Sequence, residues 1–143
     1  MDLGLRGKRA IITGGSKGIG LATAITLAAE GAQVAIVARN AGPLQEAAKA
    51  IREKTGTEPL VLVADATSGD DARRVVEQAA QHFGGLDILV NNAGTSAAAP
   101  FEKVEAEAWG ADLDLKLLGA VNFARAALPH LRKAGGGAIL NVT

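Results

Sequence analysis

The stretch of sequence with the clearest chemical meaning is the glycine-rich segment from Thr13 to Gly20, which reads Thr-Gly-Gly-Ser-Lys-Gly-Ile-Gly. It lies between an apolar run typical of a buried strand and a run with helical periodicity. Gly14 would allow a tight turn, Gly18 a close approach to a ligand, and Gly20 close packing of the helix on the strand. Because backbone amides at a helix start bind phosphate, we expect a dinucleotide pyrophosphate here. A purely structural tight turn is the alternative.

Ala38 and Arg39 come at the end of the second predicted strand, where a dinucleotide-binding fold meets the adenosine ribose. An Asp or Glu here would bind the 2′-hydroxyl of NAD(H). Arg39 and Lys17 instead supply two cations, which favour a 2′-phosphate. The sequence therefore predicts NADP(H) as the cofactor in preference to NAD(H). The alternative is that both cations are solvated surface charges.

Two further segments follow predicted strands. Asp65 is predicted to face the adenine, where its carboxylate would accept from the exocyclic amine, or else to cap the following turn. The segment Asn91-Asn92-Ala93-Gly94 follows the fourth strand, and its glycine permits a close approach of the backbone to a cofactor. The Asn side chains have an alternative role, which is to tie neighbouring strands together.

The elements that position these residues alternate between strands and helices. Strands are predicted at Arg9–Thr13, Ala32–Ala38, Leu60–Ala64, Leu86–Val90 and Ala138–Val142. Their Val, Ile and Leu residues do not alternate with polar ones, which is typical of a parallel sheet covered on both faces. We therefore predict a doubly wound α/β domain with strand order 3-2-1-4-5.

Two of the intervening helices have specific signals. Ser68, with Asp71 three residues later, is predicted to form a capping box that starts the third helix. The last helix is marked by apolar residues three or four positions apart, which are Leu113, Leu117, Val121, Ala124, Leu128 and Leu131.

Composition excludes several classes of function. The chain has 143 residues, and its 15 basic and 15 acidic residues give a net charge of zero, so neither nucleic acid nor an anionic membrane is an expected partner. The chain has no Cys, and its carboxylates form no set with His, so we predict no metal site. With no signal peptide or spanning run, a cytoplasmic location is expected. Tyr is also absent, which excludes a phenol of this chain as a catalytic acid.

Taken together, Thr-Gly-x-x-x-Gly-x-Gly at 13–20, Asp65, Asn-Asn-Ala-Gly at 91–94 and Ile-Leu-Asn-Val-Thr at 139–143 resemble the short-chain dehydrogenase/reductase family. The resemblance covers the whole chain and implies a Rossmann fold. It also implies an NAD(P)-dependent oxidoreductase acting on a small carbonyl or alcohol. By the same resemblance, the cofactor contacts are Gly14, Ser16, Lys17, Ile19, Arg39, Asp65, Ala66, Asn92, Ala93 and Gly94.

The chain departs from this family at its C-terminal end. The catalytic Ser of the family would come directly after Thr143, and its Tyr-x-x-x-Lys motif would come later still. We therefore expect residues 1–143 to be a dinucleotide-binding domain that is incomplete after the fifth strand and inactive alone. A non-catalytic NADP(H)-binding module with a sensing or scaffolding role is the alternative.

A second departure concerns Lys116. Aligning Trp109 and Gly119 with the family pattern puts Lys116 where the family usually has a catalytic-relay Asn. The alternative is that this register is wrong by one turn and that Lys116 is a surface residue. In addition, the long helix resembles the one through which family members pair, so a homo-oligomer is expected. The substrate cannot be read, although the loop from Thr95 to Phe101 would help to shape its site.

Overall fold

The computed structural model describes residues 1–94 and 99–143. Its strands are β1 (Arg9–Thr13), β2 (Gln33–Ala38), β3 (Leu60–Val63), β4 (Ile88–Asn91) and β5 (Ala138–Asn141). They form one parallel five-stranded sheet in the order β3-β2-β1-β4-β5. This confirms the predicted strand order, and it brings the carboxyl ends of the strands to one edge of the sheet.

The helices cover both faces of this sheet. They are α1 (Gly18–Ala29), α2 (Ala41–Thr55), α3 (Gly69–Phe83), α4 (Ala106–Leu113) and α5 (Gly119–Lys133). Ala10 and Ile12 of β1 pack in a core with α1 and α2, whereas Ile11 packs in a second core with α3 and α5. Burial on both faces explains why the strand sequences do not alternate, and it confirms the doubly wound α/β class.

The predicted cap of α3 is present, but only half of the capping box forms. The Ser68 hydroxyl accepts a hydrogen bond from the Asp71 amide at 3.1 Å. The Asp71 carboxylate does not return this bond to Ser68. It accepts instead from the amide of Asp65 at 2.9 Å, which ties α3 to the end of β3.

The long helical pattern is also realised differently from the prediction. A π-helical turn, Asp114–Leu118, joins α4 to α5 without an interruption. The apolar residues that mark the helical period lie mostly on the exposed side, with Leu113 and Leu117 more than half exposed. The buried side of α5 carries Gly119, Phe123, Ala127 and Leu131.

The reason for this arrangement is steric. A Cβ added at Gly119 would lie 3.3 Å from the Cβ of Ala66, so small residues are needed where α5 meets the loop after β3. Leu113, Leu117, Val121 and Leu128 lie on the outer side, whereas Phe123 and Leu131 are buried farther along α5. Association of two copies through that outer side stays a prediction.

The amino end of the sheet, opposite the candidate site, is fixed by an ion pair between β1 and the start of β4. Arg9 Nε donates to Asp87 Oδ2 at 2.8 Å, and the Arg9 amide donates to the same oxygen at 3.0 Å. The side-chain hydrogen bond from Arg9, more than its charge, lowers the pKa of the Asp87 carboxyl. Within residues 1–94 and 99–143, no helix combines the length and apolarity needed to cross a membrane.

Candidate functional site

A cavity of about 590 Å³ opens at the carboxyl edge of the sheet. It is lined by the segments that follow β1, β2, β3 and β4, together with Leu115 from the π-helical turn. The residues predicted from the sequence that line it are Gly14, Ser16, Lys17, Gly18, Ile19, Arg39, Ala66, Asn92, Ala93 and Gly94. The structure therefore brings together predicted residues that are up to 80 positions apart, as the bond from the Ala93 amide to Thr13 illustrates.

The shape of the loop after β1 depends on glycines. Gly14 has φ of 62°, and a Cβ there would lie 2.9 Å from the Asn92 carbonyl oxygen. Gly20 does not line the cavity, because it packs behind the loop, where a Cβ would overlap the Gly14 carbonyl oxygen. Gly18 has φ of 56°, but a Cβ there would meet no atom within 4 Å, so its backbone is open to the cavity. The turn at Gly14 and the close packing at Gly20 agree with the roles predicted for them, whereas the approach of Gly18 to a ligand stays a prediction.

The first turn of α1 begins at the cavity, and within the described part of the chain its amides have no side-chain cap. The N-cap residue Lys17 gives no side-chain cap, and the first turn contains no acidic residue. The amide of Leu21 is the first to bond within the helix, to the Lys17 carbonyl at 3.2 Å. Ile19 is 63% exposed and lines the same cavity. A helix start of this kind attracts anions through its free amides and its dipole.

Thr13 is a positioning residue that sequence reasoning treated only as the start of the motif. Its hydroxyl oxygen accepts from the amides of Asn92 at 2.9 Å and Ala93 at 3.0 Å. The Asn92 side chain donates to the Gly14 carbonyl at 3.2 Å, so Asn92 does tie the two loops together. Asn91, its neighbour, donates to the Asn141 side chain of β5 at 3.0 Å. The sequence signal for this role is a hydroxyl side chain at the end of an apolar strand, directly before the glycine-rich loop.

The charge of the cavity lining is positive. Among the described residues that line it, Lys17 and Arg39 are cationic and none is acidic. Arg39 is exposed, and Ala38 beside it offers no carboxylate. Asn40, Pro43, Ala64 and Leu115 also line the cavity and were not predicted. Asn40 and Ala64 lie just after the ends of β2 and β3, and Pro43 lies in the first turn of α2, whereas Leu115 comes from a distant helix and has no local signal.

Asp65 lies at a second cavity of about 650 Å³, which shares Arg39 and Leu115 with the first. Its Oδ1 accepts from the Thr67 amide at 2.9 Å and from the Thr67 hydroxyl at 2.7 Å. The turn-capping alternative for Asp65 is therefore realised. The amide of Asp65 donates to Asp71, and this hydrogen bond is the main reason why the pKa of the Asp71 carboxyl is lowered.

Lys116 also lines the second cavity and not the first. Its Nζ lies 3.2 Å from Asp112 Oδ1, and its Cε would lie 3.3 Å from a Cβ built on Gly94. The side chain therefore runs beside Gly94, at the border of the two cavities. Its π-helical turn is of a type often found at functional sites.

Of the loop predicted to shape the substrate site, residues 95–98 lie outside the described residues, and Ala99 lines the second cavity.

A protein-family model described as short chain dehydrogenase matches residues 8–143. The chain belongs to this family. The chain is similar to the peroxisomal 2,4-dienoyl-CoA reductase of Arabidopsis thaliana, with 38% identity over 147 residues. That match covers 97% of this chain and 49% of the reductase.

The fold of the chain is also similar to solved structures of a reductase and a dehydrogenase. The L-sorbose reductase of Gluconobacter frateurii, complexed with NADPH and L-sorbose, superposes with a TM-score of 0.89 at 44% identity, covering 97% of this chain and 53% of the reductase. An NAD⁺-bound xylitol dehydrogenase superposes with a TM-score of 0.88 at 33% identity, covering 94% and 52%. The chain thus spans about half the length of these relatives.

Proposed function

We propose that this chain is the dinucleotide-binding domain of a short chain dehydrogenase that uses NADP(H). The enzyme would transfer hydride between the nicotinamide and a small carbonyl or alcohol. One observation carries the proposal: the segments after four parallel strands line one cavity. The described residues of its lining include two cationic side chains and no carboxylate. Ligands of open α/β sheets bind at the carboxyl ends of the strands, which is where this cavity lies.

The pyrophosphate fits the start of α1. The amides of its first turn have no side-chain cap, and no acidic residue stands there to repel a phosphate. Gly18 presents open backbone to the cavity, while Gly14 and Gly20 allow the loop to pack closely on the segment that follows β4. We therefore assign pyrophosphate binding to residues Gly14, Ser16, Gly18 and Ile19, with Gly20 supporting them from behind.

The cations decide the form of the cofactor in this proposal. A guanidinium can bind a phosphate through two parallel hydrogen bonds, and an ammonium adds a point charge. Arg39 and Lys17 would take these roles toward the 2′-phosphate. L-sorbose reductase was solved with NADPH and xylitol dehydrogenase with NAD⁺, so the fold alone does not set the choice.

The remaining predicted residues divide between the two ends of the cofactor. Ala66, with Asp65 beside it, would contact the adenine, although the Asp65 carboxylate already accepts from Thr67. Asn92, Ala93 and Gly94 would line the path toward the nicotinamide, fixed there by the Thr13 hydroxyl. When bound, the cofactor supplies or accepts the hydride.

Proton transfer is the part of the reaction that this chain does not provide. It contains no tyrosine, so no phenol of its own can act as the acid. Lys116 beside Gly94 is our proposed occupant of the relay position, with Asp112 holding its ammonium. We therefore expect cofactor binding but no turnover from residues 1–143.

Calorimetric titration of the chain with NADPH and NADH tests the proposal. A hydrogen bond to a charged group is worth about 1.5 to 3 kcal/mol, so two such groups predict a preference for NADPH of about 10²- to 10⁴-fold. Because Arg39 is exposed, the lower part of that range is expected. The double variant Ala38→Asp with Arg39→Ala should reverse the preference, since it adds repulsion and removes attraction.

Arg132→Ala, which removes an exposed cation from the far end of α5, is the matched control and should leave both affinities unchanged. Equal affinity of the unaltered chain for the two cofactors would contradict the proposed selectivity. NADPH consumption with aldehydes or ketones, above a control without protein, would show that proton transfer does not require a tyrosine.

A further inference from the structure

Asn122 of α5 reaches across to the loop that follows β3. Its Nδ2 donates to the Ala66 carbonyl at 3.1 Å, a bond between residues 56 positions apart. Its Oδ1 would lie 3.7 Å from a Cβ built on Gly69, the first residue of α3. The half-buried Asn122 side chain thus fills the gap between this loop and the start of α3.

The other side-chain bonds of this loop are local. Asp65 bonds to Thr67, and Asp71 bonds to the Asp65 amide. Within residues 1–94 and 99–143, Asn122 makes the side-chain hydrogen bond that joins residues 65–67 to an element outside the β3–α3 segment. The loop can therefore form its own turn without Asn122, but its place relative to α5 depends on this bond and on the contact of Gly119 with Ala66.

The position of this loop relative to α5 matters because the loop and the helical segment that leads into α5 each supply part of the cavity wall. Ala66 lines the first cavity from the loop, and Leu115 lines it from the π-helical turn that leads into α5. We infer that Asn122 is a positioning residue for the adenosine half of the cofactor, acting through the Ala66 carbonyl. This inference rests on the function proposed above.

The expected effect is moderate and specific. Asn122→Leu keeps the approximate size of the side chain but leaves the Ala66 carbonyl without its donor, so the loop occupies its binding position for a smaller fraction of the time. Apparent affinity falls in proportion to that fraction. The loss of one neutral hydrogen bond corresponds to about 3- to 10-fold weaker binding.

The experiment measures three probes against matched variants. NADPH and adenosine 2′,5′-bisphosphate both carry the adenosine, whereas reduced nicotinamide mononucleotide does not. Glu77→Ala is the control, because it breaks another contact between α3 and α5, the pair of Glu77 Oε1 with His130 Nε2, away from the cavity. Thermal unfolding of each variant reports any purely structural effect.

We expect Asn122→Leu to weaken NADPH and adenosine 2′,5′-bisphosphate by the same factor and to leave the mononucleotide unchanged. Glu77→Ala should change none of the three affinities. Asn122→Asp, which keeps the shape and removes the Nδ2 donor, gives the same measurement if the Leu variant does not fold. Rescue by Asn122→Gln, which restores an amide donor, would support the assignment.

Three results would overturn the inference. They are unchanged binding of adenosine 2′,5′-bisphosphate to both Asn122 variants, an equal loss in Glu77→Ala, and an equal loss for the mononucleotide. If the unaltered chain binds neither NADPH nor adenosine 2′,5′-bisphosphate, then the proposed function itself fails. The first of these results, with normal binding by the unaltered chain, overturns only the role of Asn122.

Discussion

The loops after β1 and β3 line the same cavity, yet they are shaped in different ways. The loop after β1 is compact because Gly14, within the loop, and Gly20, in the first turn of α1, have no side chains. Gly14 can therefore lie against Asn92, and Gly20 can lie against the Gly14 carbonyl. The loop after β3 is held by side-chain hydrogen bonds: the Asp65 amide donates to the Asp71 carboxylate, and the Asn122 side chain donates to the Ala66 carbonyl.

This difference has consequences for tolerance to mutation. A backbone packed against backbone has no flexible side chain that can move aside, so one added carbon displaces the whole loop. A loop held by several hydrogen bonds loses only one contribution at a time, and a single such bond is worth about 0.5 to 1.5 kcal/mol. We therefore expect large effects in the first loop and small ones in the second.

Gly20→Ala should give the largest effect. Its Cβ would overlap the Gly14 carbonyl oxygen and approach the Asn92 side-chain nitrogen to 2.6 Å. Overpacking against backbone predicts a destabilisation of about 3 kcal/mol, or about 10 °C in Tm. Thermal unfolding measures this, with Gly110→Ala in α4 as the control, since a Cβ there meets no atom within 4 Å. A Tm for Gly20→Ala close to that of the unaltered chain would remove the contrast between the loops.

Thr13→Val should give an intermediate effect, because it removes the hydroxyl that ties the end of β1 to the segment after β4. The substitution keeps the size of a side chain that is 2% exposed, but it leaves the amides of Asn92 and Ala93 without their acceptor. The cost of the unpaired amides is about 1 to 3 kcal/mol. Urea denaturation of this variant and of Thr26→Val provides the test, because the Thr26 hydroxyl is exposed and donates only to Ala22. Equal losses in the two variants would argue against a special role for Thr13.

Asp71→Asn should give the smallest effect, and one that depends on pH. The hydrogen bond from the Asp65 amide, aided by Arg74, lowers the pKa of the Asp71 carboxyl in the folded chain. Such a group contributes stability above its unfolded pKa of about 3.9 and loses it as pH falls through the lower folded pKa. The variant should therefore be slightly less stable than the unaltered chain at about pH 7, and the difference should be smaller at about pH 3. Urea midpoints at both values test this, and a constant difference would exclude the charge as the cause.

Much of this site could be predicted because its signals are local. The glycine spacing from 14 to 20 reports steric needs of one short loop, and Arg39 follows its strand directly, so neither depends on a distant partner. Asn122 could not be found in this way. Its role depends on a carbonyl 56 positions away, and carbonyls are identical at every position of the sequence.

The sequence by itself determined the parallel sheet, the order of its strands and the segments that meet at its carboxyl edge. Strands in which apolar residues do not alternate with polar ones must be covered on both faces. The crossovers between parallel strands are short and right-handed, so few strand orders are possible. Only the tertiary structure decided which side of α5 is buried, since the helix has apolar residues on two sides and the close contact of Gly119 with Ala66 selects one. It also decided that the Asp65 carboxylate caps a turn and that Lys116 lies beside Gly94, because those contacts depend on how separate elements pack.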